Sequence, residues 1–478
     1  MRANLKIAPT RMAGNLVEII NRYVRLDFRN FEFESKLISL MKHLLKEPKT
    51  IKDVPGPVAL PIFGTRWLYS VGGYKMNKIH ELYADLFRKY GETVREEALW
   101  NFPVINIRNR DDIERVLKQS SKFPIRPPNE VTSYYRRTRP DKYTNLGLVN
   151  EQGQTWHDLR TKLTPALTSS KTMTQFLPEL NQVADDFNTL ITNSRDENGV
   201  VHNFEEYANR MGLESTCTLI LGERLGFLEQ NISPVASRLA DAVKGQFIAS
   251  RDTFYGLPFW KILPTPAYKR LVESEDTIYE IISEMVDKTL KAETNKCAVD
   301  PVQSVFMSIL QLGNTLVFLL YLVAKHPEVQ EKIYEELEGL VTDGCPLSTS
   351  TLRHATYLKA CIAEAFRVLP TAPCVARILE SETELSGYLL PSVVLCHTCF
   401  KPERWLDNSA VRYPFLVCPF GVGKRMCPGK RFVELELQVV LAQTVRKFHI
   451  DFDEELDLQF EFLLAPKSPT NIILRDRH

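Results

Sequence analysis

The stretch Pro419-Phe420-Gly421-Val422-Gly423-Lys424-Arg425-Met426-Cys427-Pro428-Gly429 constrains this chain more than any other. It sets Cys427 at the end of a glycine-rich loop, just before an amphipathic run from Lys430 to Phe448. Such a run reads as a helix. Cys427 therefore falls beside a helix N-terminus, where the backbone dipole favours negative charge. Lys424 and Arg425 add two cations, and both effects pull a thiol toward thiolate. Gly421, Gly423 and Gly429 let the backbone pass close to a flat ligand and turn N–H donors toward sulfur. The loop is built to present a thiolate to a metal. A bare Cys-x-Gly would read instead as a buried cysteine beside a helix cap. The filled loop separates the two readings.

The rest of the chain can support a large fold around that loop. It has 478 residues, 44% of them hydrophobic and 25% charged, which suits a globular protein with a sizeable core. The formal net charge of +1 argues against nucleic acid as a general partner. The nine cysteines are an odd number, scattered along the chain, which suits a reducing compartment rather than a disulfide framework. Cys396-His397-Thr398-Cys399 is a lone Cys-x-x-Cys, and no second pair has the spacing of a zinc site.

Residues 1–17 carry Arg2, Lys6 and Arg11, with Leu5, Ile7, Met12 and Leu16 interleaved and no acid before Glu18. A basic, amphipathic, acid-poor start is compatible with a mitochondrial targeting segment; the plain alternative is a disordered or truncated start. No apolar run approaches the ~20 residues that span a bilayer. Peripheral membrane contact stays open.

Residues 1–50 are expected to form a leader region, and 51–478 one large domain. Helical spacing marks Tyr74–Tyr90, Asp111–Gln119, Trp156–Thr164, Leu177–Thr192, Phe204–Leu221, Asp276–Ala292, Val302–Lys325, Pro327–Leu340 and Tyr357–Leu369. Strands are expected within Thr93–Ile107, broken at Asn101-Phe102-Pro103. Others are expected near Val375–Ile378, Val393–Cys396, Phe460–Leu464 and Asn471–Leu474. The fold class is mainly α with small β-sheets.

Phe420, Gly423, Cys427 and Gly429 fill the pattern Phe, two residues, Gly, three residues, Cys, one residue, Gly, and Arg425 takes the basic position two before the cysteine. This resembles the haem-binding signature of the cytochrome P450 family. The resemblance implies haem b (iron protoporphyrin IX), with Cys427 as the iron ligand. Further elements follow in the family's order. Glu364 and Arg367 match its Glu-x-x-Arg, and Arg404 of Pro402-Glu403-Arg404-Trp405 is the implied third member of a structural trio. Trp156 and Arg160 match its Trp-x-x-x-Arg. Arg377 matches another arginine, so Trp156, Arg160, Arg377 and Arg425 are the implied propionate partners.

From Val54 to His478 the chain is similar to the arthropod mitochondrial group of that family, most clearly over Tyr143–Glu151 and Gly429–Glu436 and more weakly over Leu177–Phe187. That implies a monooxygenase hydroxylating a lipophilic small molecule, a steroid-like hormone or a xenobiotic. Electrons would come from an adrenodoxin-like ferredoxin, docked on Lys359, Lys430 and Arg431. A second basic residue usual on the Lys359 helix is Ala363 here.

One region departs from the resemblance. The helix that should carry a small-residue kink and an acid–alcohol pair reads Ser308-Ile309-Leu310-Gln311-Leu312-Gly313-Asn314-Thr315-Leu316. The acid is absent, and the joins Gln311-Leu312 and Cys399-Phe400 read as though chain were missing. Without that acid, Thr315 is a poor substitute for a proton-delivery group. Weak or absent monooxygenation is then expected, and the alternative functions are a catalytically impaired haem or ligand-binding protein, or a haem-thiolate isomerase or peroxide-driven enzyme.

Overall fold

The computed structural model describes residues 49–70, 72–119, 121–290, 312–341, 345–395, 405–406 and 417–477. Its larger compact unit runs from Thr50 to His478. The leader expected over residues 1–50 lies outside the described residues except for its last two. So do Arg404, Gln311, the Cys399-Phe400 join and the Cys-x-x-Cys.

Helix α1 (Ile79–Tyr90) buries Ile79, Leu82, Leu86 and Phe87 along one face, as their spacing demands. It starts later than Tyr74. Lys75 is extended, and residues 76–78 form only a 3-10 turn. Strands β1 (Thr93–Glu97) and β2 (Pro103–Ile107) pair antiparallel, with Thr93 opposite Ile107. Their connection places Trp100 and Asn101 in the left-handed region. The Asn101 carboxamide steadies it by accepting from the Ile62 N–H and donating to the Leu60 carbonyl.

Helix α2 (Arg110–Lys118) begins at Asn109, whose side chain caps the N–H groups of Asp111 and Asp112. Helix α3 (Glu130–Thr138) is short and poor in aliphatic side chains, with Val131 the one aliphatic residue. A buried ion pair anchors it, with Arg136 donating to Glu275 at 3.1 Å. Helices α4 (Gly153–Thr168) and α5 (Ser170–Asn193) meet at Ser169, whose hydroxyl caps α5 through the Thr172 N–H. Then follow α6 (Phe204–Leu221), α7 (Pro234–Tyr255) and α8 (Pro266–Leu290).

Helix α9 (Leu312–Ala324) is apolar on nearly every side, and such a helix has to be buried. Its leucines, valines and Phe318 are all buried, and each such side chain contributes roughly 1.5–3 kcal/mol through burial. Gly313 permits a close crossing with α6. A Cβ at that position would lie 2.2 Å from the Asn209 Oδ1 and 2.7 Å from the Asn209 Cα.

After α10 (Pro327–Glu338) and α11 (Thr356–Val368) comes an antiparallel pair, β3 (Cys374–Leu385) and β4 (Tyr388–Leu395). It is longer than expected, because bulges let the register continue past Ile378. Helix α12 (Lys430–Lys447) and strand β5 (Phe448–Asp451) follow the cysteine loop. The strand expected over Phe460–Leu464 is instead the turn of a hairpin, β6 (Leu458–Phe460) and β7 (Leu464–Pro466), with Phe462 at φ +70°. The apolar run hid the reversal. Strand β8 (Ile472–Asp476) pairs with β5 and with residues 200–201. Helices α5, α6, α9, α10, α11 and α12 share one apolar core. The described residues are thus mainly helical with small antiparallel sheets. The core fixes two things used below: the N-terminus of α12, and the α11 face carrying Glu364.

Candidate cofactor site

The cysteine loop is held by its own backbone. Gly421 and Gly423 take φ near +70° and +71°, a region costly for residues with a Cβ. The Cys427 N–H donates to the Phe420 carbonyl at 2.8 Å, and the Gly421 N–H to the Cys418 carbonyl at 2.9 Å. Phe420 packs edge-to-face on Phe366 of α11 at 4.8 Å. Gly429 is the N-cap of α12 and offers no side chain there. The backbone N–H groups of Gly429 and Lys430 favour the charged form of the sulfur.

The charge environment differs from the sequence reading. Lys424 does not serve the sulfur; it donates to the carbonyls of Ser121 and Lys122 at 3.1 and 3.3 Å. The cations that act on Cys427 are Arg160 and Arg126. Burial is the largest influence and pushes the thiol above its ordinary value; the N–H groups and the two arginines offset part of that. The net shift is therefore opposite to the one expected from the loop alone. A buried sulfur of this kind is held as thiolate when a metal ion supplies the compensating charge.

Arg425 donates to the Pro124 carbonyl at 2.9 Å, the Glu151 carbonyl at 2.8 Å and the Gln152 Oε1 at 2.7 Å. Its guanidinium lies over the buried Trp156 ring at 3.9 Å, a cation–π contact. Trp156 thus supports Arg425. Arg377 donates to the carbonyls of Ala376 at 2.8 Å and Val422 at 3.3 Å, tying β3 to the loop. Burial lowers the pKa of Arg126, Arg160, Arg377 and Arg425, and Arg425 falls to about 10 because Arg126, Arg377 and Arg160 also repel it. None of the four forms an ion pair among the described residues. Four gathered, partly desolvated cations suit an anionic ligand, and two carboxylates and a thiolate would nearly balance them. The residues present fit haem.

Arg126 was missed in the sequence. It lies in Phe123-Pro124-Ile125-Arg126-Pro127, which carries no helical or strand period. The bridge between Ile125 and Ile378 brings it beside Arg377.

Behind the loop, Glu364 is completely buried on α11. Its carboxylate accepts from Arg367 Nε at 2.8 Å and Nη2 at 3.0 Å. Trp405 Nε1 donates to it at 2.9 Å. The Glu-x-x-Arg spacing therefore makes a bidentate pair, not a solvated helix contact, and the indole is a partner the sequence reading did not assign.

On α9, the Thr315 hydroxyl lies 2.7 Å from that of Thr371. It is buried and engaged in tying the helix to the segment before β3.

One acid stands apart from these groups. Glu96 on β1 is 5% exposed, and its carboxyl is pushed up to about 7 by burial, against hydrogen bonds from Asn106 and Tyr69. The folded state therefore binds this proton more tightly than the unfolded chain, whose glutamate titrates near ~4.3. This contribution is full below the unfolded pKa and is lost as pH rises through about 7. Glu96→Gln is expected to stabilise the protein at pH ~8 by up to about 3 kcal/mol, with the gap closing near pH ~4.5. Chemical denaturation across that range measures it, and a pH-independent gap contradicts it.

A mainly helical fold with a cysteine loop at the head of its last long helix is the class of the haem-thiolate proteins. The chain belongs to the cytochrome P450 family, whose sequence profile matches residues 54–307, 312–396 and 398–474. It is a P450 monooxygenase by that membership. It is 43% identical to Ecdysone 20-monooxygenase of Drosophila melanogaster, across 89% of each chain. It is 28% identical to Cytochrome P450 302a1, mitochondrial, of the same fly, across 90% of this chain and 96% of the other. With the mouse 1,25-dihydroxyvitamin D(3) 24-hydroxylase, mitochondrial, the identity is 27%, across 84% and 85%. The profile match is interrupted at residues 308–311, beside the Gln311-Leu312 join.

Proposed function

We propose that this chain is a mitochondrial steroid hydroxylase that carries haem b and takes its electrons from an adrenodoxin-like ferredoxin. The observation that carries the reading is the 43% identity with Ecdysone 20-monooxygenase over 89% of the chain. Several relatives are also named mitochondrial. Cys427 is the proposed iron ligand. Arg126, Arg160, Arg377 and Arg425 are the proposed propionate partners, with Trp156 beneath Arg425. Phe420 and Gly429 shape the loop, and Glu364, Arg367 and Arg404 brace it. Bound haem supplies oxygen activation; the protein supplies the ligand, the cations and a dry surround.

The ferredoxin would dock on Lys359, Lys430 and Arg431. Lys430 is half-exposed, pairing with Glu434 at 3.7 Å, and Arg431 is exposed. Lys359 is less available: it donates to the Arg353 carbonyl at 2.6 Å. Residues 1–50 are the proposed leader, ahead of the haem domain over 51–478. Peripheral membrane contact is supported by exposed Val58, Ile62 and Phe63 on one segment, Trp100 and Phe102 on a second, and Phe259, Ile262 and Leu263 on a third. The Trp100 N–H donates to the Ile62 carbonyl, joining the first to the second, and Arg66 ties the first to the third by donating to the Gly256 carbonyl. Among the described residues no helix is long and apolar enough to cross a membrane.

A second reading is a haem-bearing protein that binds its steroid without turning it over. Two observations favour it: α9 carries no acid, and its Thr315 hydroxyl is engaged by Thr371. The test is turnover of ecdysone by the purified haem-loaded chain with a ferredoxin and its reductase. A hydroxylated product is expected. Tight binding without product would select the second reading, and neither binding nor product would overturn both.

A further inference from the structure

Arg136 and Glu275 form a buried ion pair outside the cofactor site. Burying two charges is costly, and apolar side chains of similar volume often pack as stably. Stability alone therefore does not account for the pair. Its bonds do more than hold α3 against α8. The Glu275 carboxylate accepts from Arg136 Nε at 3.3 Å and Nη2 at 3.1 Å, from the Tyr143 hydroxyl at 3.2 Å, and from Gln246 of α7. Arg136 Nη1 donates to the Leu146 carbonyl at 3.3 Å. One guanidinium thus joins α8, α3 and the chain beyond α3.

From Leu146 the hydrogen bonds lead to the cofactor residues. Its N–H donates to Glu151 Oε1 at 2.9 Å, and its carbonyl also accepts from Asn150 Nδ2 at 3.4 Å. Asn150 Oδ1 accepts from the Asn129 N–H, and Gln152 Nε2 donates to the Arg126 carbonyl, both at 2.8 Å. Residues 124–152 are therefore a loop closed at its neck. That neck carries Arg126 and supplies the acceptors of Arg425: the carbonyls of Pro124 and Glu151 and the Gln152 Oε1. Arg136, Leu146 and Glu151 thus link Glu275 to Arg425 by hydrogen bonds.

We propose that Arg136 and Glu275 are positioning residues for the cofactor. They fix the loop of residues 124–152, and the loop holds Arg126 and Arg425 where a propionate would meet them. The proposal rests on the reading of Arg425 as a propionate partner and adds the pair that places its acceptors. The planar fork of Arg136 lets one side chain serve Glu275 and Leu146 at once, and a lysine has no such fork.

The test is the rate at which the full haem-loaded chain gives up haem to excess apomyoglobin, followed by absorbance, with the urea midpoint of each variant measured beside it. Arg136→Lys keeps the buried charge paired but drops the bond to Leu146. Arg136→Met combined with Glu275→Leu removes both charges and is expected to stay folded. Each is expected to release haem about tenfold faster than wild type, the equivalent of one charge-assisted hydrogen bond at the cofactor. Glu214→Gln is the control. Glu214 is buried on α6 and pairs with Arg224 at 3.1 Å. This change lowers the urea midpoint by breaking a buried pair outside the loop, yet haem release is expected to stay within about twofold of wild type. Wild-type release in either Arg136 variant, or release that rises as much in Glu214→Gln, would overturn the positioning role. Arg425→Met separates that role from the propionate reading. Faster release in Arg425→Met with wild-type rates in the Arg136 variants overturns the positioning role alone, and wild-type release in Arg425→Met overturns both.

Discussion

Cys427→Ser is expected to abolish the thiolate signature in the carbon monoxide difference spectrum of the reduced, haem-loaded protein. The serine hydroxyl has no accessible anionic form near neutral pH, so it cannot replace a thiolate as a strong-donor ligand. The rest of the site is expected to survive. The loop's shape comes from Gly421, Gly423 and backbone hydrogen bonds to the Phe420 and Cys418 carbonyls. The arginines are positioned by the carbonyls of Pro124, Glu151, Ala376 and Val422. The variant should therefore still take up haem, with loss confined to the ligand. A variant that keeps the thiolate signature, or a wild type that never shows one, would falsify the assignment of Cys427.

The second large effect is on stability. Glu364→Ala is expected to cost about 3–5 kcal/mol, as removing one partner of a buried pair does. It leaves the Arg367 guanidinium and the Trp405 indole N–H without the carboxylate they share at 2.8 to 3.0 Å. Set against a total stability of ~5–15 kcal/mol, that loss is enough to unfold much of the population or to release haem. Chemical denaturation of the haem-loaded protein measures the first, and haem content after gel filtration the second. A loss under ~1 kcal/mol is what an exposed pair would give, and would mean that Glu364 does not brace the loop.

Much of this site could be read from the chain in one dimension. The cysteine loop is local, and its glycines, cysteine and following helix are neighbours in sequence. The same holds for Glu364 and Arg367, which one helical turn brings together, and for the apolar faces of α1, α6 and α11. Helix α3 shows what local pattern misses, since a distant acid, Glu275, holds it. The Phe460–Leu464 run shows the opposite error: a uniform apolar stretch reads as a strand, but Phe462 turns it back on itself.

The sign of the Cys427 shift was likewise beyond local reading. Adjacent cations in the sequence point to a charged sulfur, yet Lys424 donates to distant carbonyls, and burial, which depends on everything packed around the loop, outweighs the donors. Sequence by itself determined the identity of the cysteine, the loop that presents it and the pair that braces it, because those depend on contacts a few residues apart. Only the tertiary structure added Arg126 to Arg160, Arg377 and Arg425 at the cofactor position, and brought the Trp405 indole onto Glu364. Those groups come from distant segments, and it is the packing of helices and strands, not spacing along the chain, that brings them to one place.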